Sequence, residues 1–203
     1  MQVSLHGTQR VKLAQRQTFL EELMAAGRGV AGLLIGEAEA RKFFDFSRRG
    51  LVTSFIALLI AVAIRAFLPL VVSQVHDSAL VSIVRYAILF VAQLGFTVIV
   101  LNQIKRMDAL VPYLVADNWV TFFLTLILGA LVAAGIGADP ASSDGMTILF
   151  GIILIVIEVN IGRRVMALAP LQIAMLIVAQ IVGLFLAVGL LNLLFPGSPG
   201  TAV

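Results

Sequence analysis

The stretch GLVTSFIALLIAVAIRAFLPLVV, residues 50–72, holds one charged residue, Arg65, in 23 positions. A run of about 20 apolar residues is what a helix needs to cross the hydrocarbon core of a bilayer. Further runs of the same character follow at 78–102, 112–136, 146–162 and 169–195. Lipid offers no partner to an open backbone, so each run is helical by necessity. The reading is an all-α membrane protein, with five transmembrane helices behind an N-terminal cytoplasmic amphipathic helix. It divides into a cytoplasmic or interfacial arm (1–49), a five-helix transmembrane domain (50–195) and a short outer tail (196–203).

Composition points the same way. The 203-residue chain is 61% hydrophobic and 12% charged, with a mean hydropathy of +1.07. Soluble domains carry about 25% charged residues, so this chain has too few to clothe a water-facing surface. The helix breakers fall at the ends of the runs. Pro112 and Pro170 sit in first turns, where a missing N–H costs least. DPASSDG (139–145) and PGSPG (196–200) read as a turn and a tail. Ser47 is placed to cap the first span. No cleavable signal is expected, because the first long apolar run starts only near Leu51.

Lysine and arginine set the orientation. Arg10, Lys12, Arg16, Arg28, Arg41, Lys42, Arg48 and Arg49 precede the first span. Lys105 and Arg106 lie between the second and third spans, and Arg163 and Arg164 between the fourth and fifth. The connections at 73–77 and 137–145 and the C-terminal tail have none. The alternation predicts a cytoplasmic N-terminus and an outside C-terminus in a cell inner membrane. It also accounts for the pI of 9.8 and the net charge of +3 with membrane lipids, rather than a nucleic acid, as partner.

The arm contains AAGRGVAGLLIG (25–36), and with it Gly27-x-Gly29-x-x-Gly32. Those letters belong to a dinucleotide fingerprint, which must follow a β-strand and open a helix. Here Phe19, Leu20, Leu23, Met24, Gly27 and Val30 recur at helical spacing, and no parallel sheet is available. No nucleotide is therefore expected. The helix either lies amphipathically on the inner leaflet or packs its Gly27–Gly36 face against the bundle. Phe43, Phe44 and Phe46 suit the interface where the chain turns into the first span.

Polar residues inside spans are where function is sought in a membrane protein. Arg65 and Arg85 each lie seven or eight residues from the outer ends of the first and second spans, roughly 10–12 Å below the surface. They form either a cationic pocket open to the outside or a clamp paired with Asp77, Asp139 or Asp144. A kink is expected at Pro69. Ser78, Ser82, Arg85 and Gln93 share one face of the second span, which should point inward. On the inner side, Asp117 and Asn118 open the third span and Glu158 and Asn160 close the fourth. A carboxylate there could carry protons, bind a cation, or serve as counter-ion to Lys105, Arg106, Arg163 and Arg164. Tyr113 and Trp119 are expected as interface anchors. Thr121, Thr125, Gly129, Ala133 and Gly137, and likewise Ala179, Gly183 and Ala187, form small-residue ridges for close helix packing or for a homo-oligomer.

Catalytic sets are missing. The two histidines, His6 and His76, fall on opposite sides of the membrane, and there is no cysteine. No metal, cofactor or enzymatic activity is expected. The segments FFDFSRRGLVTSFIALL (43–59) and YLVADNW (113–119), set in five spans behind a cytoplasmic arm, resemble small bacterial members of the Yip (Ypt-interacting protein) family. The resemblance implies a non-enzymatic integral membrane protein and carries over no site residue. The leading expectation is a protein that organises membrane, binds a protein partner or assembles with itself. The alternative is a small transporter or channel using the outer arginine layer and the inner carboxylate.

Overall fold

The computed structural model describes residues 18–72, 79–136 and 140–195. The helices are α1 (Phe19–Ile35), α2 (Arg48–Val72), α3 (Ala79–Gln103), α4 (Leu110–Ala133), α5 (Pro140–Asn160) and α6 (Pro170–Leu194). Within α2 to α6 lie five stretches long and apolar enough to cross a membrane. They are the frame of a multi-pass membrane protein. Their exposed surface is apolar almost throughout, as Leu171, Phe185 and Leu193 show on α6. The side of the bundle bearing α1 is called the near side below.

Each element begins and ends for a local reason. Thr18 caps α1, its hydroxyl accepting from the Glu21 N–H while the Glu21 carboxylate accepts from the Thr18 N–H. Gly36 ends it at φ 74°, a left-handed conformation suited to glycine. A short 3₁₀ turn, Ala40–Phe43, follows. Ser47 then caps α2 by accepting from the Gly50 N–H at 3.2 Å, and its own hydroxyl donates to Asp45 at 2.8 Å. Gly50 is required there, because a Cβ would fall 1.9 Å from the Asp45 carbonyl oxygen.

The DPASSDG segment departs from expectation. Pro140 starts α5, so residues 140–145 are helical rather than a turn. Proline is tolerated at the first helical position, where its ring presets the backbone angle. At its other end α5 runs into a π-helical turn, Ile161–Val165, and the chain reverses at Ala167 with φ 53°.

Packing divides the bundle into two pairs, α2 along α4 and α3 along α6. Buried Ala57 and Ala61 let α4 approach α2. Gly183 does the same for α6, where an added Cβ would meet the Phe96 ring at 2.5 Å. The ridge on α6 is thus a packing face, with Gly183 and Ala187 buried. On α4 only the near part of the ridge is buried, at Thr125, while Ala133 is exposed. Gly137 lies outside the described residues, as does the 196–203 tail.

The described part of the arm, residues 18–49, packs on the bundle. Of the two dispositions expected for α1, the packed one is found: Glu22, Ala26, Gly29, Val30, Gly32 and Leu33 are buried. Gly27 lies against Phe123 of α4, and the Phe19 ring is 6.3 Å from that of Trp119. The opposite face keeps Leu20, Met24, Leu34 and Ile35 exposed, an apolar surface of the kind a leaflet covers. Farther from α1, the far halves of α4 and α5 part to leave a crevice of about 480 Å³ lined by Leu128, Val132, Phe150 and Leu154.

Candidate functional site

Four helices send polar side chains to one point in the near half of the bundle. Gln93 and Thr97 come from α3, Tyr113 and Asp117 from α4, Glu158 from α5 and Gln180 from α6. The Tyr113 hydroxyl accepts from Gln93 Nε2 at 3.0 Å and from Gln180 Nε2 at 2.8 Å. Those two bonds occupy the oxygen's lone pairs, so its hydrogen is left to donate. Thr97 and the Glu158 carboxyl are the acceptors within its reach. Gln180 uses its second amide hydrogen on Thr97 Oγ1 at 3.1 Å. Tyr113 and Thr97 are fully buried, while Gln93, Asp117, Glu158 and Gln180 around them are half-buried.

The two carboxyls complete it. Asp117 follows Tyr113 by four residues and therefore shares its face of α4. Asp117 acts electrostatically on both Tyr113 and Glu158. Glu158 Oε1 is enclosed and has no hydrogen-bond partner. The side chains acting on Glu158 are Asp117, Gln180 and Tyr113, and none is a cation.

Of the four near-side cations expected as counter-ions to these acids, Arg106 is engaged elsewhere. Arg106 binds Asp108 and the carbonyls of Met166 and Ala167. Arg41 donates to the Val165 carbonyl at 2.7 Å. Both cations close the C-terminal carbonyls of the α5 extension, where positive charge suits the helix dipole.

The expected inner cluster also splits. Asn118 is one residue beyond Asp117 but about 100° around the helix, and its amide donates to Ser54 of α2 at 3.1 Å. Asn160 turns to α1 and donates to the Leu33 carbonyl at 2.8 Å. Tyr113 and Trp119 are not interface anchors. Each is 1% exposed, Tyr113 inside the network and Trp119 among Phe19, Phe122 and Phe123.

The arginine layer lies farther out. Arg65 donates through Nε to Thr125 Oγ1 at 2.8 Å, and its guanidinium is 5.7 Å from the centre of the Tyr86 ring. Since Tyr86 adjoins Arg85, both arginines share one height. Arg65 is thus held by a hydroxyl and a ring. Asp144 is exposed, while Asp77 and Asp139 lie outside the described residues, as does Ser78. Eight residues separate Asp117 from Thr125 on α4, and another eight separate Gln93 from Arg85 on α3, so the cationic layer is about 12 Å beyond the carboxyl pair.

A separate acid, Glu22, is buried where α1 meets α2. Burial pushes its carboxyl above the ordinary value, a Thr53 hydrogen bond opposes this, Asp45 adds to it and Arg49 opposes it.

Among the described residues no three His, Cys, Asp or Glu side chains gather to hold a metal ion. His6 and His76 lie outside them. Gln180 and Thr97 are the members of the network that sequence reading did not single out. Their signal was a lone amide midway along the most apolar helix. The chain matches no protein-family model, no curated protein and no solved structure.

Proposed function

We propose that the chain is a non-enzymatic membrane carrier in which Asp117 and Glu158 bind a cation whose passage is coupled to that of a small solute. One observation carries this reading: at the meeting point of four helices Asp117 acts electrostatically on Glu158, whose Oε1 is enclosed without a hydrogen-bond partner. An acid at the centre of a transmembrane helix costs about 2.5–3.5 kcal/mol, and Asp117 and Glu158, each within about two turns of a helix end, retain part of that cost. Apolar residues would build a scaffold core without that cost. A protein that only organises membrane or docks a partner has no use for such a pair.

The Arg65 and Arg85 layer supports an anionic or zwitterionic solute, since it places positive charge on the far-side approach to the centre. The alternation of basic connections supports an orientation with α1 in the cytoplasm of a cell with an inner membrane. The five-span frame is compatible with a Yip-like relationship.

The test is flux. Proteoliposomes bearing the full chain are given imposed H⁺, Na⁺ or K⁺ gradients and a panel of labelled small anions and zwitterions. Gradient-driven uptake of at least one solute is expected, abolished by Glu158→Gln and by Asp117→Asn. A folded protein that moves none of the panel under any gradient sinks the reading.

A further inference from the structure

We infer that the cation bound between Asp117 and Glu158 is a proton, not a metal ion, with Glu158 as the residue that takes it up and gives it back. This rests on the carrier reading for its purpose, but it concerns only what the centre binds.

Charge balance comes first. Asp117 and Glu158 are half-buried and act on each other, so two carboxylates here repel unless positive charge is supplied. Arg106 is committed to Asp108 and to two carbonyls. Arg65 is committed to Thr125 and Tyr86, about 12 Å farther out. Asp117, Tyr113 and Gln180 are the groups that face Glu158, and none supplies positive charge. A bound cation relieves the repulsion between the two acids that these side chains leave.

Oxygen supply then separates the two kinds of cation. A dehydrated hard metal ion takes about six or more oxygen ligands. The Tyr113 oxygen has already accepted two N–H bonds. Gln93 and Gln180 both present N–H groups to the centre, which would repel a metal ion. Thr97 Oγ1 is taken by Gln180. What is left is carboxyl oxygen from two side chains, too few for a metal shell. A proton needs only one oxygen, and Glu158 Oε1 is enclosed and vacant of any hydrogen-bond partner. Protonation there makes an O–H bond, removes one negative charge and relieves the repulsion from Asp117. Tyr113 holds the other end of the carboxyl through its donated hydrogen, so the group need not reorient when the proton leaves.

The experiment uses the full chain in nanodiscs. Infrared difference spectra are recorded across a pH jump in H₂O and D₂O, and titrations with NaCl, KCl, MgCl₂ and CaCl₂ are run at fixed pH. A carboxylic-acid C=O band that shifts in D₂O and disappears with the jump is expected. It should be missing in Glu158→Gln and altered in Asp117→Asn, with about one proton fewer released per chain in the former. No saturable metal binding is expected. If the wild-type protein shows no such band, or if it binds one of the four metals saturably and loses that binding in Glu158→Gln, the inference is overturned. The wild-type spectrum decides the matter even if a variant fails to fold. An intact proton signal without any solute flux would overturn the carrier reading while leaving this one standing.

Discussion

Asn160 Nδ2 reaches the carbonyl of Leu33 at 2.8 Å, joining the end of a membrane-length helix to the end of the arm. The bond is buried, and the same carbonyl also accepts from the Gly36 N–H at 3.2 Å. Replacing Asn160 with alanine therefore removes one of two bonds. A loss of about 1 kcal/mol is expected, which is roughly a fivefold rise in the population of undocked α1. Amide exchange of residues 19–35 in nanodiscs should quicken by that factor, with the far part of α4 unchanged. Unchanged exchange in α1 would show that Asn160 does not hold it.

Docking of α1 should also respond to pH through Glu22. Its carboxyl binds a proton more readily when buried than when α1 is released into water. The docked state therefore holds more protons, and linkage makes docking weaken as pH rises. The loss begins near 4.5, the ordinary value, and is complete above the raised one. Protection of α1, corrected for intrinsic exchange, should fall across that window. Glu22→Gln should flatten the curve and raise protection at neutral pH.

Arg65 and Thr125 should be energetically coupled. Interhelical hydrogen bonds in bilayers average about 0.6 kcal/mol and reach about 1.7. A double-mutant cycle with Arg65→Gln and Thr125→Val is expected to return a coupling in that range. A value near zero would mean the guanidinium is held by Tyr86 alone.

Glycine positions give a matched pair. At Gly183 a methyl group would meet the Phe96 ring at 2.5 Å, whereas at Gly95 it would meet nothing within 4 Å. Gly183→Ala should cost about 1–3 kcal/mol through overpacking, seen as a lowered thermal midpoint in detergent. Gly95→Ala should stay within about 0.5 kcal/mol of the wild type. Equal effects would contradict the α3–α6 packing.

Sidedness is directly testable because the chain has no cysteine of its own. Single cysteines at Ser47 and at Leu194 should label from opposite sides with an impermeant maleimide, Ser47 only after the cell is opened. Labelling of both from one side would overturn the five-crossing frame.

The apolar runs that define α2 to α6 were legible because bilayer thickness fixes the length a spanning segment must have. The Ser47 cap and the Gly183 face were legible because each depends on local chemistry within a few residues. The site was legible in its members Gln93, Asp117 and Glu158, but not in its grouping. Asn118 and Asn160 were grouped with the acids by closeness along the chain, and helical geometry sends them to other neighbours, Ser54 and Leu33. Tyr113 and Trp119 sit where interfacial aromatics usually sit. They are buried instead because α1 covers one flank of α4 and the polar network fills another. The start of α5 at Pro140 was hidden by letters common to turns and to helix N-termini alike.

The placement of α1 has one more consequence. It meets α4 at Trp119 and Phe123, in the first half of that helix, and beyond it α4 and α5 separate. The aromatic flank of α4 is thus covered on the near side only, and on the far side the same helix is left bare toward that crevice.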